Sequence, residues 1–195
     1  MTYCGIDEVG RGPLAGPVWA VAVFLPTRCP KELFDSKQIP PATRASLVHT
    51  LRRIGALWSS GYASPHEIDA INIRNATCIA MARAYQRLAT LLHEKGVKKP
   101  MTALVDGKDD PKIGIRSIPI IKGDAVIPEI QAASILAKHA RDLVMIHYSK
   151  HFPQYGFEKH KGYPTLAHRR AIQSCGLSAI HRKTFRGCHS SSQNP

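Results

Sequence analysis

The sequence predicts an α/β fold built on a mixed sheet. Three observations carry that prediction. Short apolar runs of strand length alternate with two long stretches of helical periodicity, Gly and Pro punctuate the boundaries, and several of the runs end at or beside an aspartate.

Residues from Thr2 to Asp7 and the run Val18 to Leu25 read as two strands joined through the Gly- and Pro-rich turn Gly10 to Pro17, a hairpin. Pro41 to Ile54 has helical character and Leu57 to Ala63 supplies a third strand. Ser64-Pro65-His66-Glu67 has the form of a capping box, so a helix follows, with apolar residues at Ile73, Ala76, Ala80, Ala84, Leu88 and Leu91. It runs to about Lys95, where Gly96 stops it, with a break near Asn72. Met101 to Val105 and Arg116 to Ile121 are strands ending at Asp106-Gly107 and Gly123-Asp124. A second long helix begins near Pro128 and runs to about His151, where Pro153 and Gly156 break it. Shorter helical pieces are expected around Thr165 to Cys175 and near Ser178, and the closing Ser-Ser-Ser-Gln-Asn-Pro reads as a frayed tail.

A long crossover through residues 64–95 can lay the strand ending at Asp106 parallel to the strand ending at Asp7, with Asp124 near the same rim. Asp7 and Glu8 are neighbours, so in a regular strand they point to opposite faces. The strand is therefore expected to end, bulge or twist there.

With 195 residues, the chain suits one domain: a core over about 1–150, a helical C-terminal part over about 151–188 and a flexible tail over 189–195. No apolar run is long enough to cross a bilayer, and the Met-Thr-Tyr-Cys start resembles no leader, so a cytoplasmic protein without membrane contact is expected. The five cysteines (Cys4, Cys29, Cys78, Cys175, Cys188) have no Cys-x-x-Cys spacing and are expected as reduced thiols. The net charge is +13, and after Asp142 eight Lys or Arg face one acid, Glu158. Such an excess suits a polyanionic partner, although a solvated basic surface is equally consistent with composition alone.

Singly, each aspartate has a bland explanation, since Asp before Gly, as in Asp106-Gly107, is commonly a turn residue. Together, Asp7, Glu8, Asp106 and Asp124 would repel one another at the ends of neighbouring strands, and a cation would relieve that. Oxygen ligands without a His or Cys set favour Mg²⁺ or Mn²⁺ over zinc, and a pair of such ions suits phosphodiester hydrolysis. The Gly10-Arg11-Gly12-Pro13 segment lacks Gly-x-Gly-x-x-Gly spacing, so it is not a dinucleotide loop. A glycine-flanked arginine instead bares backbone that can approach a ribose 2′-hydroxyl, the group that distinguishes RNA from DNA.

The run Gly5-Ile6-Asp7-Glu8-Val9-Gly10-Arg11-Gly12-Pro13-Leu14-Ala15-Gly16-Pro17-Val18 closely resembles the first signature of bacterial ribonuclease HII. Further similarities follow in that family's order: Asp35-Ser36-Lys37, Asn72-Ile73-Arg74, Val105-Asp106-Gly107, Lys122-Gly123-Asp124, Ala132 to Ile135 with Arg141-Asp142, and His160 to Thr165 with His168. His181-Arg182-Lys183-Thr184-Phe185 is similar to the closing motif, so nearly the whole chain is covered.

The resemblance implies a ribonuclease H-like fold with a five-stranded mixed sheet flanked by helices. It implies an endonuclease acting on RNA–DNA hybrids and on ribonucleotides embedded in duplex DNA, leaving 5′-phosphate and 3′-hydroxyl ends. By it, Asp7, Glu8, Asp106 and Asp124 bind the catalytic metals, and Gly10, Arg11 and Gly12 read the 2′-hydroxyl. Tyr163 stacks on the sugar following an RNA-to-DNA junction, and Lys37, Ser134 and Lys138 lie near phosphates. A monomer is expected, while Mg²⁺ against Mn²⁺ and recruitment by a replication clamp stay open.

Pro128-Glu129-Ile130-Gln131 departs from the family's smaller or apolar residues. The lack of a sizeable segment before Tyr3 disfavours ribonuclease HIII, which carries an extra N-terminal domain. A resolvase-like nuclease would share clustered acids but needs no 2′-hydroxyl reader. A metal-free nucleic-acid module is opposed by four carboxylates facing a polyanion. His160, His168 and His181 are given no catalytic role, since acid-held cations need no imidazole.

Overall fold

The computed structural model describes residues 2–25, 40–100 and 102–188. Strands β1 (Tyr3–Val9), β2 (Val18–Phe24), β3 (Leu57–Ala63), β4 (Thr102–Asp106) and β5 (Arg116–Ile120) form one sheet in the order β3-β2-β1-β4-β5. The β1–β2 and β2–β3 pairs are antiparallel, and β1–β4 and β4–β5 are parallel, so the sheet is mixed as expected. The α-helices are α1 (Pro41–Arg53), α2 (Pro65–Glu94), α3 (Pro128–His151), α4 (Phe157–His160) and α5 (Leu166–Cys175).

The apolar run of β2 is explained by helices on both of its faces. Val18, Ala20 and Ala22 join the core beneath α2, while Val21 and Val23 join the core beneath α3. The same alternation sends Cys4 and Ile6 of β1 to the α2 side. Each helix seats directly on sheet backbone at a glycine. A Cβ on Gly5 would lie 2.1 Å from the Glu129 carbonyl carbon at the start of α3, and one on Gly61 would lie 2.2 Å from the Ala80 oxygen of α2. Gly5→Ala is therefore expected to push α3 off the sheet and cost about 1–3 kcal/mol, read as a lower melting midpoint.

The local signals for α2 hold. The Ser64 hydroxyl accepts from the Glu67 amide at 3.2 Å, and the Glu67 carboxylate accepts from the Ser64 amide at 2.8 Å. The expected break falls at Asn72, with φ 66° and ψ 164°, and its side-chain oxygen accepts from the Asn75 amide at 3.1 Å, capping the second half.

Two expectations are corrected, and one element is additional. No helix forms near Ser178, because its amide and hydroxyl turn onto His181 Nδ1 at 2.9 and 2.7 Å. The short helix α4 has no counterpart in the sequence reading, since four residues are too few to show periodicity. β1 neither ends nor bulges at Asp7-Glu8: its register against β2 advances one residue at a time from Gly5↔Val23 to Val9↔Trp19. Lys37, Cys29 and the tail 189–195 lie outside the described residues. No described helix is long and apolar enough to cross a membrane.

Candidate active site

The sheet brings the four acids to one edge through its register. β1 and β4 pair from Tyr3↔Thr102 to Ile6↔Val105, which sets Asp7 beside Asp106 at the carboxyl ends of both strands. Asp124 lies in the 3-10 turn Gly123–Ala125 that follows β5, and its amide donates to Asp106 Oδ1 at 3.4 Å. Because β1 stays regular, Asp7 and Glu8 leave opposite faces of the strand. Asp7 points toward α3, where Ser134 favours its charged form, while Glu8 meets Arg11 at 3.3 Å.

The electrostatics are those of crowded carboxylates. Burial, then the charges of Glu8 and Asp106, hold the Asp7 carboxyl well above the ordinary carboxylate range, with Ser134 pulling the other way. Burial also raises Glu8, opposed by Arg11 and reinforced by Asp106. Asp106 is raised by burial and by the Asp124 charge, against hydrogen bonds from the Asp124, Gly123 and Gly107 amides.

These residues fit divalent-ion chemistry. Glu8 Oε2 is buried with no hydrogen-bond partner, the condition of a carboxylate oxygen that a cation would satisfy. Among the described residues, no three His, Cys, Asp or Glu side chains are grouped to hold one ion by themselves; Asp7 and Asp106 adjoin as one pair and Asp106 and Asp124 as another. Mg²⁺ suits such pairs, because it is commonly held by one or two carboxylates with waters and substrate phosphate completing its shell.

Beside the acids, the segment from Gly10 to Pro17 is held by two arginines, both fully buried. Arg182 donates to the carbonyls of Gly10, Arg11 and Gly16 at 2.6, 2.9 and 2.9 Å. Arg141 donates to those of Ala15, Pro17 and Lys161 at 3.1, 3.0 and 3.0 Å. Burial lowers Arg141 to about 10, and burial with Arg141's charge lowers Arg182 to about 9, so both remain cationic at neutral pH. Gly10 needs its missing Cβ for this bracket, since a Cβ would lie 2.2 Å from Arg141 Nε. Gly12 is exposed, and a Cβ there would meet only Tyr163 at 3.9 Å, leaving its backbone open to a ligand. The Tyr163 ring is 38% exposed beneath the Arg141 guanidinium, 5.9 Å from its centroid.

Behind Tyr163 sit His160, His168 and His181, with rings of Tyr155 and Phe157 packed against them. Burial, then the neighbouring His168, lowers His181 to about 4, and burial lowers His168 as well. A base with a depressed folded pKa binds fewer protons folded than unfolded. Its contribution is thus full above about pH 6.5 and is lost as pH falls toward 4. Raised Asp7, Glu8 and Asp106 favour the fold as pH falls, the opposite sign, so the comparison must isolate one group. Urea midpoints measured from pH 7 to 4.5 are expected to fall less steeply for His181→Gln than for the unaltered protein.

Of the remaining sequence-predicted residues, Ser134 faces Asp7, and Lys138, one turn on, is ion-paired to Asp142 at 2.6 Å. Asp109 is buried and accepts from Arg74 at 2.8 Å, with Arg11 4.0 Å away. The sequence assigns Arg141 and Arg182 no role beyond their places in the Arg141-Asp142 and His181-Arg182 motifs. The available signal was Arg141's place on the apolar stripe Ile130, Ala133, Ala137, Met145 of α3.

Residues 4–188 match the family model for ribonuclease HII. The chain is 43% identical over 183 residues to a ribonuclease HII of Nitrosospira multiformis, covering 93% of this chain and 88% of that relative. Its fold is similar to the crystal structure of ribonuclease H2 from Pyrococcus horikoshii OT3, with TM-score 0.78, 24% identity and coverage of 96% and 95% of the two chains. It is also similar to Bst-RNase HIII in complex with Mn²⁺, with TM-score 0.73, 16% identity and coverage of 96% and 68%.

Proposed function

This chain belongs to the ribonuclease HII family and is a ribonuclease H, and from that premise we propose that it hydrolyses the RNA strand of RNA–DNA hybrids and nicks duplex DNA 5′ of embedded ribonucleotides. The observation that carries the reading is the meeting of Asp7, Glu8, Asp106 and Asp124 at one sheet edge, next to the open backbone of Gly12. The acids would hold two divalent ions, Mg²⁺ or Mn²⁺, in keeping with the Mn²⁺ bound by the ribonuclease HIII neighbour. When bound, such ions supply an activated water and a stabilised leaving oxygen.

The chain's own groups do the rest. Ser134 steadies Asp7 on the α3 side, and Asp106 stands between the Asp7 and Asp124 charges. The backbone of Gly10, Arg11 and Gly12 reads the 2′-hydroxyl, held in shape from below by Arg182. Tyr163 offers a half-exposed ring to the sugar after the junction. Ser134 and Lys138 on α3 lie toward the phosphates, and Lys37 is assigned there on its Asp35-Ser36-Lys37 motif alone. Products carry 5′-phosphate and 3′-hydroxyl ends, which suits ribonucleotide removal from DNA and primer processing by a monomeric, single-domain enzyme.

Cleavage of a labelled RNA–DNA hybrid tests the reading, with the ends identified by ligation and by polymerase extension; 3′-phosphate products would contradict it. Arg11, 43% exposed at its side chain, gives a finer test. Arg11→Ala removes the side chain that ties this reading backbone to Glu8, and it is expected to lower discrimination between ribose and deoxyribose about tenfold, the scale of one charge-assisted hydrogen bond, with little change in binding to plain DNA. Equal loss of both would remove Arg11 from the 2′-hydroxyl reader.

A further inference from the structure

The three histidines behind Tyr163 have a single consistent hydrogen-bond order. The Ser178 amide can only donate, and it points at His181 Nδ1 at 2.9 Å, so that nitrogen carries a lone pair. Neutral His181 then bears its proton on Nε2 and donates to His168 Nε2 at 3.0 Å. His168 in turn must carry its proton on Nδ1, which donates to the Tyr163 carbonyl at 3.0 Å. That carbonyl also accepts from the Thr165 amide at 2.8 Å. His160, stacked on His168 with centroids 4.5 Å apart, accepts from the Gly162 amide at 3.2 Å and donates from Nε2 to the Tyr155 carbonyl at 2.8 Å. Every imidazole nitrogen is used, and only the neutral rings fit.

The far end of this chain is the peptide that carries Tyr163. The preceding residue, Gly162, accepts from the Leu14 amide at 2.8 Å, and a Cβ on it would lie 2.5 Å from the Ala15 oxygen, so the loop cannot shift without disturbing the Gly10–Pro17 segment. Arg141 constrains the ring from its face while the histidines constrain the backbone. We propose that His168 and His181 are positioning residues that set Tyr163 against the sugar following a ribonucleotide, and thereby set the preference for RNA-to-DNA junctions over uniform hybrids. This rests on the reading of Tyr163 given under the proposed function.

The test compares kcat/KM on a DNA duplex carrying one ribonucleotide with kcat/KM on a uniform RNA–DNA hybrid. His181→Phe keeps a ring against Tyr155 and Phe157 and removes both nitrogens. It is expected to lower the junction preference roughly five- to tenfold, as loss of one buried hydrogen bond does. His181→Gln, whose amide can still donate toward His168, is expected to restore most of it. In a Tyr163→Ala background, His181→Phe is expected to leave the ratio unchanged.

Equal losses on both substrates for His181→Phe, or losses in the ratio that multiply with those of Tyr163→Ala, would overturn the proposal. If Tyr163→Ala shifts the ratio and His181→Phe does not, the positioning role alone falls. If Tyr163→Ala leaves the ratio untouched, the reading of Tyr163 falls and the proposal with it. Imidazole ¹⁵N shifts of the unaltered protein at pH 7 give a test that needs no variant. Protons on Nε2 of His181 and Nδ1 of His168 are expected, and the reverse tautomers would overturn the proposal.

Discussion

Asp7→Asn is expected to abolish strand cleavage while making the metal-free protein more resistant to unfolding. The first effect follows from the proposed ligand role, since a metal ion contributes several kcal/mol of charge stabilisation in the transition state, a loss of about a thousandfold or more in kcat. The second follows from burial. Asp7 is 5% exposed and sits beside Glu8 and Asp106, so its ionised form opposes folding. Its folded pKa is raised above the unfolded value, so the penalty is absent below the unfolded pKa and complete above the folded one. The gain from the neutral amide is therefore largest at neutral pH and vanishes in acid. Melting curves in chelator at pH 7 and pH 4 check this, and added Mn²⁺ is expected to reverse the ranking by stabilising the unaltered protein more. A variant that melts below the unaltered protein in chelator at pH 7 would mean that the acids are not strained against one another.

Arg182→Met is expected to be the most destabilising single change near the site. It strips donors from the carbonyls of Gly10, Arg11 and Gly16, all bonded by one buried guanidinium. Three unpaired acceptors offset by the gain of an apolar side chain leave a cost of about 3–5 kcal/mol, lowering the melting midpoint by roughly 10 °C in a chain of this size. Arg182→Lys is not expected to rescue it, because an ammonium lacks the planar fork that spans three carbonyls. A midpoint for Arg182→Lys within a degree of the unaltered protein would show that charge rather than this fork holds the segment.

How legible all this was in the sequence depended on the range of the interactions. The Ser64–Glu67 cap, the break at Asn72 and the strand before Asp106 obey local rules, and they appear where those rules put them. The pairing of β1 with β4 was also readable, because a long helical crossover between two strands favours parallel neighbours. The end or bulge expected at Asp7-Glu8 is absent, because the two acids do not need the same face of β1. Regular β1 instead sends Asp7 to the α3 side and Glu8 to Arg11, and Asp106 adjoins them from β4. Arg141 and Arg182 were least legible. Arg141 reaches carbonyls more than 120 residues away in the chain, and Arg182 reaches some more than 160 away, so no spacing rule could pair them. The histidine order was hidden for the same reason, since tautomers are assigned only once the amide of Ser178 and the carbonyl of Tyr163 are placed.

The measurement that bears most directly on the central claim is cleavage of an end-labelled DNA duplex carrying one ribonucleotide, with Mg²⁺, with Mn²⁺ and with chelator, beside an all-DNA control. The acids at the sheet edge and the bared Gly12 backbone predict a metal-dependent cut on the 5′ side of the ribonucleotide, with the control intact. Cleavage that persists in chelator, or equal cutting of the all-DNA duplex, would contradict the account.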